Sequence, residues 1–212
     1  MSGWFLNTGS TLANNGVITT AAMTGKGFIC TGFQLETRKY PTSYIKTIST
    51  PVTRAKDITS SGASVGTINS EAGALIVEAA SDLSGAVKRF EITSPALANV
   101  DRVGIKFTAT LNQIEFMVKT GAVNQILELT TVADITEQNT YAVSWESGKF
   151  RTFVNGVKET ETLVGSTFAA ATLDAINLHG NTESENFNAR IKKIKLMSGA
   201  YTDAEIIAVM QN

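Results

Sequence analysis

The amino-acid sequence predicts an all-β fold in which two antiparallel sheets pack face to face over residues 61–212, ending in one short helix. Short β patterns recur at intervals too small for the crossover connections that parallel strands require. Asn155-Gly156 is a typical hairpin turn, because both central residues of a type I′ turn need positive φ. Thr202 and Glu205 have the spacing of a capping box, which marks the start of a helix.

Composition excludes several classes of protein. The chain has 212 residues, of which 43% are hydrophobic, so it can build a substantial core. Its net charge is −1 and its lysines and arginines are scattered, so we expect no nucleic-acid partner. No apolar run reaches transmembrane length, and the N-terminus lacks the pattern of a signal peptide, so we expect no membrane association.

Cys30 is the only cysteine, which excludes an internal disulfide and a thiolate zinc cluster. It lies in an apolar stretch that is typical of a strand, where we expect a small buried side chain. A single free thiol suits synthesis in a reducing cytoplasm.

Residues 1–60 form a different part of the chain, rich in threonine and glycine with only short apolar bursts. The small residues of 59–64 indicate a linker or a wide surface turn. Because 1–60 has little core of its own, we predict a β-rich segment. It would be the end of a preceding domain, or strands that pack on the main domain or on a neighbouring chain.

Alternation of apolar and polar residues predicts the strands of the main domain. Half-buried strands are indicated by Val103, Ile105 and Phe107, and by Ile114, Phe116 and Val118. Further strands are predicted at residues 74–79, 125–131 and 140–145.

Two linked hairpins are predicted over residues 141–146, 149–154 and 157–161. If Trp145 pairs with Phe150, then Val143 faces Thr152 and Tyr141 faces Val154. Tyr141, Val143, Trp145 and Phe150 would share one face of the sheet, with Arg151 and Phe153 on the other. Alternation alone does not decide which face meets the core.

The C-terminal part of the chain predicts a bulged strand and then the short helix. Ile191 and Ile194 have opposite parity although both look core-facing, and a β-bulge at Lys192-Lys193 would reconcile them. The helix is expected at about 203–210, with an apolar stripe. That stripe comprises Ile206, Ile207, and either Met210 or Val209.

Three short motifs upstream carry a resemblance to known proteins. They are Gln-Leu-Glu at 34–36, Thr-Ser-Tyr-Ile-x-Thr at 42–47, and Val-Thr-Arg-Ala-x-Asp at 52–57. In this order they resemble a segment of phage tail fibres and related virion surface proteins. There the segment precedes a concanavalin A-like (laminin-G-like) β-sandwich, or jelly roll. The hairpin at Asn155-Gly156 and the closing Thr-Asp-Ala-Glu-Ile at 202–206 are similar to parts of such sandwiches.

The resemblance implies a virion protein made in the host cytoplasm, a homo-oligomer and most often a trimer. Its expected partners are a bacterial surface polysaccharide and other virion proteins. Two functions stay open: a non-catalytic module that contacts host glycans, or a purely structural decoration and oligomerisation domain. An exposed aromatic pair over a polar groove would favour glycan binding, whereas a large exposed apolar face would favour the structural role.

Catalysis and metal binding are not expected. His179 has no serine or cysteine setting like that of a nucleophile, and the paired acids of glycosidases with this fold are missing. Oxygen donors occur near residues 174–185 and could suit Ca²⁺, but turn formation explains them better. We therefore predict no metal and no cofactor.

Sugar-binding sites use aromatic rings flanked by amide groups, and this rule selects the candidate site residues. They are Trp145, His179, Asn181, Asn186 and Phe187, with Tyr141 as a further candidate. The loop from His179 to Phe187 and the hairpin end at Trp145 are the predicted contact surface. Burial of Trp145 in the core is the alternative reading.

Overall fold

A computed structural model of the chain describes residues 62–82, 84–94, 100–178, 187 and 189–212. Ten strands and one helix follow one another along this part of the chain. The strands are β1 (Gly73–Ser81), β2 (Lys88–Thr93), β3 (Arg102–Phe107), β4 (Gln113–Thr120), β5 (Val123–Thr131), β6 (Asn139–Glu146), β7 (Lys149–Val154), β8 (Val157–Thr162), β9 (Ala175–Asn177) and β10 (Ala189–Ser198), and the helix is α1 (Asp203–Gln211).

The strands form two antiparallel sheets of five, which confirms the predicted all-β sandwich. Sheet I has the strand order β10-β1-β6-β7-β8, and sheet II has the order β5-β4-β3-β2-β9. The predicted segment 1–60 lies outside the described residues, as does Cys30. Among the described residues, the nine residues of α1 fall far short of the roughly 20 that a membrane-crossing helix needs.

The predicted double hairpin is confirmed residue by residue. Trp145 pairs with Phe150, Val143 with Thr152 and Tyr141 with Val154. Asn155 and Gly156 have φ of 49° and 81°, as a type I′ turn requires.

The main core lies between the sheets and takes the inward side chains of both. Tyr141, Val143, Trp145 and Phe150 from sheet I meet Phe90, Ile105 and Phe116, among others, from sheet II. These inward positions alternate with outward ones along each strand, as expected for a sandwich. The outward positions of the two sheets have very different surroundings.

Helix α1 covers the outer face of sheet I, so that sheet is buried on both sides. Ile206 and Met210 of α1 pack on Ile76 and Phe153, which point away from the main core. The capping box of Thr202 and Glu205 is present at the start of the helix. The predicted apolar stripe of the helix is confirmed: Ile206 and Met210 are buried, whereas Ile207 and Val209 are partly buried.

Arg151 is buried with Phe153 on this outer face and fixes the start of α1. Its guanidinium donates to Ser144 Oγ at 3.1 Å, to Glu146 Oε1 at 3.1 Å and to the Tyr201 carbonyl at 2.8 Å. It also donates to Asp203 Oδ1 at 2.8 Å. A buried cation with this many acceptors is compensated for its loss of water.

Strand β10 contains the predicted bulge. Glu78 is opposite Lys193 and Ala79 is opposite Ile191, which leaves Lys192 as the extra residue. The bulge puts Ile191 and Ile194 on the same face, as predicted. The expectation that Ile194 is a core residue is wrong, because it is 40% exposed on this edge strand.

Candidate functional site

Trp145 is a core residue and not a surface platform. It is 1% exposed, and its Nε1 donates to the carbonyls of Asn69 and Ser70 at 3.3 and 3.1 Å. Its ring lies over Gly73, where an added Cβ would sit 2.5 Å from Cζ2 of the indole. This corrects the expectation that Trp145 offers a ring to a sugar, and it confirms the alternative reading of burial.

Phe187 is buried as well, with its ring 5.2 Å from that of Phe107 and 6.4 Å from that of Phe90. Tyr141 is fully buried. His179, Asn181 and Asn186 lie outside the described residues. Of the five predicted residues, the two that the structure describes, Trp145 and Phe187, are therefore core residues.

Exposed aromatic rings are missing from the described part of the chain. There, every phenylalanine and tryptophan is buried, and Tyr201 is half-buried with its hydroxyl donating to the Ser198 carbonyl. A sugar site built from the described residues would therefore rely on polar groups.

The outward face of sheet II carries polar groups, of which some are buried and others are partly exposed; Arg89, Glu91 and Thr93 are buried, and Arg102, Lys106, Glu115, Lys119 and Asn177 are partly exposed. On β2, β3 and β4 the inward positions are apolar, so alternation places the polar residues of these strands on the opposite face. We call this surface the polar face; its members are Arg89, Glu91, Thr93, Arg102, Gly104, Lys106, Glu115, Met117, Lys119 and Asn177. Alternation in the sequence located the inward residues of β3 and β4, but it assigned no function to their outward residues and did not predict β2.

Glu91 is the centre of the polar face and is 1% exposed. Its Oε1 accepts from Arg89 Nη1 at 2.7 Å and from Arg102 Nη1 at 3.4 Å. Two guanidinium groups therefore converge on one carboxylate, which compensates part of the burial of Glu91. Such a carboxylate is held by its cations and is poorly suited to act as a general acid or base.

Gly104 adjoins this cluster and is itself buried. It lies opposite Glu91 on one side and Met117 on the other. A Cβ built on Gly104 would lie 3.4 Å from Cγ and 3.5 Å from Oε1 of Glu91, so the Glu91 side chain fills the space beside this glycine.

Lys106 and Glu115 form an ion pair across β3 and β4, with Nζ 3.2 Å from Oε2. Further along the same two strands, Arg102 and Lys119 are directly opposite each other and carry the same charge. Four cations and two carboxylates leave the polar face with an excess of positive charge. The contact surface predicted from the sequence, the loop at 179–187 with the hairpin end at Trp145, has no such excess of positive charge.

Asn177 closes the face on the β9 side. Its Nδ2 donates to Thr93 Oγ1 at 2.8 Å, and it is the register partner of Glu91. Two positions further along the sequence the predicted loop begins, so that loop is connected to the edge of the polar face.

Asp174 and Tyr141 have shifted pKa values, both raised by burial. Neither residue is part of the polar face. Across the described residues, no three His, Cys, Asp or Glu side chains come together to hold a metal ion.

Comparisons with known proteins place the fold in the lectin-like group. No family profile matches the sequence, and no curated protein resembles it closely enough in sequence to count as a relative. Solved structures do match in shape. One is the carbohydrate-binding module CBM40 of a Ruminococcus gnavus sialidase bound to α2,3-sialyllactose (TM-score 0.52, 14% identity, covering 66% of this chain and 83% of that chain).

Two other structures show how widely this fold is shared. Domain 4 of an extracellular arabinanase from Geobacillus stearothermophilus, in complex with arabinotriose, has a TM-score of 0.52 at 10% identity, covering 70% of each chain. A heptameric pentraxin from Limulus polyphemus has a TM-score of 0.54 at 9% identity, covering 72% of this chain and 75% of that chain. The described residues between 62 and 212 therefore have the concanavalin A-like, jelly-roll architecture that the sequence predicted.

Proposed function

We propose that this chain is a glycan-binding module displayed on a phage virion, in a tail fibre or related appendage. The observation that carries the proposal is the difference between the outer faces of the two sheets. Helix α1 occupies the outer face of sheet I, whereas sheet II carries Arg, Lys, Glu and Asn side chains on its outward face. Such groups bind sugar hydroxyls by hydrogen bonds.

The binding mode follows from the residues available. Lys106 and Asn177 donate hydrogen bonds and Glu115 accepts them, so together they match the mixed character of hydroxyl groups. With no exposed ring among the described residues, stacking adds little, and the affinity of one site is weak. Sites of this kind have Kd values of roughly 1 mM to 1 μM, and repeated copies raise the avidity.

The biological setting rests on the resemblance of residues 34–57 to phage tail fibre proteins. It gives the virion as the location, with a bacterial surface polysaccharide and other virion proteins as partners. The matched structures that hold sugars, a sialidase module and an arabinanase domain, support glycan contact by this fold. Glu91 and Glu115 are both paired with cations, which supports binding without cleavage.

The test uses the purified full chain and surface polysaccharide from the bacterial host, with binding measured by calorimetry up to millimolar sugar. Lys106→Ala with Glu115→Ala removes both members of an ion pair from the polar face and conserves net charge. We expect about 5- to 10-fold weaker binding with an unchanged circular dichroism spectrum. Asn177→Ala should weaken binding in the same direction.

The matched control is Glu159→Ala with Lys195→Ala, which also conserves net charge. These residues are exposed on β8 and β10, at the edges of sheet I. The control should bind as the wild type does. Absence of wild-type binding at millimolar sugar, or an equal loss in both double variants, would refute the assignment.

A second function, assembly, is favoured by the exposed edge of sheet II. Val123, Leu127 and Leu129 on β5 are each more than half exposed. Leu163 and Val164 are equally exposed and lie two or three positions before Ser166, whose N–H donates to Gln125 of β5 at 3.2 Å. Edge strands β8 and β10 carry several charges, as exposed edges usually do, whereas β5 carries only Glu128.

This apolar edge supports self-association, for which we propose a homotrimer. Five such side chains from each of two copies supply on the order of 1,000 Å² of apolar surface, where specific interfaces begin. Leu127→Lys with Leu129→Lys should shift the sedimentation of the full chain from oligomer to monomer. A wild-type chain that is monomeric at micromolar concentration would exclude assembly through this edge.

A further inference from the structure

We infer that Arg102 and Lys119 form a subsite for an anionic sugar, one bearing a carboxylate or an ester sulfate. This inference rests on the proposed glycan binding and assigns the chemical class of the ligand. It is carried by the charges on β3 and β4. At one end of this strand pair a cation lies opposite a carboxylate, whereas at the other end two cations lie opposite each other.

The two cations are direct cross-strand neighbours in the register of β3 and β4. Like charges that are directly opposite in a sheet repel each other and destabilise the strand pair. Four positions along β3 the same two strands carry opposite charges instead, because Lys106 lies opposite Glu115 and forms an ion pair with it at 3.2 Å. An anion bound between Arg102 and Lys119 would reduce the repulsion between these two cations.

Arg102 has hydrogen-bonding capacity to spare. A guanidinium has five donors, and the only acceptor it reaches among the described residues is Glu91 Oε1 at 3.4 Å. That oxygen already accepts from Arg89 at the shorter distance of 2.7 Å. The Nε of Arg102 is buried and makes no hydrogen bond.

The side chain of Lys119 makes no hydrogen bond or ion pair with any other residue of the described part of the chain. A planar guanidinium beside a compact ammonium is suited to an oxyanion, because the first offers a fork of donors and the second a point charge. The side chain of Arg102 is 12% exposed, so an ion pair formed there is less screened than one at the open surface.

Arg102 and Lys119 are partly exposed, whereas Glu91, Gly104 and Met117 beside them are buried. An acidic sugar would therefore present its charged group to Arg102 and Lys119 and keep its ring outside the sheet.

The experiment measures the affinity of the full chain for three defined probes: sialyllactose, lactose 3′-sulfate and lactose. We expect at least one of the two acidic probes to bind 10-fold or more tightly than lactose, with an affinity that falls as salt rises. Arg102→Gln with Lys119→Gln should remove that preference, so that acidic and neutral probes bind with affinities within about 2-fold of each other. Whichever acidic probe is preferred identifies the anion as carboxylate or sulfate.

The matched control is Lys192→Gln with Lys195→Gln, which removes the same charge from exposed positions on β10. It should keep the preference for the acidic probe. Arg102→Lys should retain part of the preference, because it keeps the charge and loses the fork.

Three results would overturn the inference: equal affinity for acidic and neutral probes, an equal loss in both double variants, or no affinity for any probe. Binding of the host polysaccharide with no preference for acidic sugars would leave the proposed glycan binding in place. The two proposals therefore fail separately.

Discussion

The guanidinium of Arg151 donates to the carboxylate of Asp203 at 2.8 Å, joining strand β7 to a residue 52 positions later that begins α1. The pair lies between the outer face of sheet I and the helix that covers it. The pair therefore attaches the start of α1 to β7, an inner strand of sheet I.

Replacement of Arg151 by methionine is expected to destabilise the domain by about 2–4 kcal/mol, because it removes four hydrogen bonds, including those to Ser144 and Asp203. Urea unfolding followed by circular dichroism measures this. Lys149→Met, at a half-exposed position on the same strand, should change stability by less than about 0.5 kcal/mol. Equal stability of the Arg151 variant and the wild type would show that the network contributes nothing net.

Gly73→Ala is expected to cost about 2–3 kcal/mol by overpacking. The new Cβ would lie 2.5 Å from Cζ2 of Trp145 and 2.8 Å from the Met197 carbonyl oxygen, so the indole must move. Gly66→Ala is the control, because its Cβ would meet only Ser64 Oγ at 3.7 Å. A thermal melt in which both variants match the wild type would contradict the close packing of Trp145 on β1.

Tyr141→Phe is expected to leave stability at pH 7 within about 1 kcal/mol, since the buried hydroxyl has no hydrogen bond of good geometry to lose. Burial raises the pKa of Tyr141 well above its usual value, although nearby Asn139 lowers it somewhat. The unfolded chain therefore ionises first, and wild-type stability falls as pH rises above about 10. The phenylalanine variant should lose less stability in that range, and parallel curves for the two proteins would refute this.

Acid should weaken the start of α1. Hydrogen bonds from Lys158, and then from Arg151, lower the pKa of Asp203 below its usual 3.8. The backbone N–H and then the hydroxyl of Thr202 lower the pKa of Glu205 below its usual 4.5. Groups with lowered pKa values stabilise the fold above their usual pKa, and this contribution is lost as pH falls through the lowered values.

Asp203→Asn with Glu205→Gln should therefore flatten the decline of stability between pH 5 and pH 2, and its curve should approach that of the wild type at the acid end. Urea midpoints at each pH provide the measurement. A decline as steep as that of the wild type would show that other carboxylates control the acid response.

Much of the sandwich could be predicted because alternation within a strand reports which side chains share a face. The pairing of Trp145 with Phe150 and the bulge at Lys192 both followed from this rule. Alternation does not report what covers a face. For that reason the burial of Arg151 under α1 and the exposure of Ile194 on an edge strand could not be deduced.

The polar face was hidden for a related reason. Arg102 and Lys119 are 17 positions apart, and neither stands out in the sequence. Their opposition arises only when the register of β3 and β4 is known. The aromatic rule selected Trp145 and Phe187 instead, because the sequence of a strand cannot distinguish a ring that fills a core from one that meets a ligand.

The outward residues of β3 and β4 share no side-chain packing with the core that sets the fold, since their neighbours along the strand point the other way. Sequence change at these positions can therefore alter the surface of the domain without opening a cavity in the main core. On the central strands of sheet I the same freedom does not exist, because their outward residues near α1 pack against the helix. A library randomised at residues 102, 106, 115 and 119 would consequently vary the chemistry of the polar face while the core of the sandwich stays unchanged.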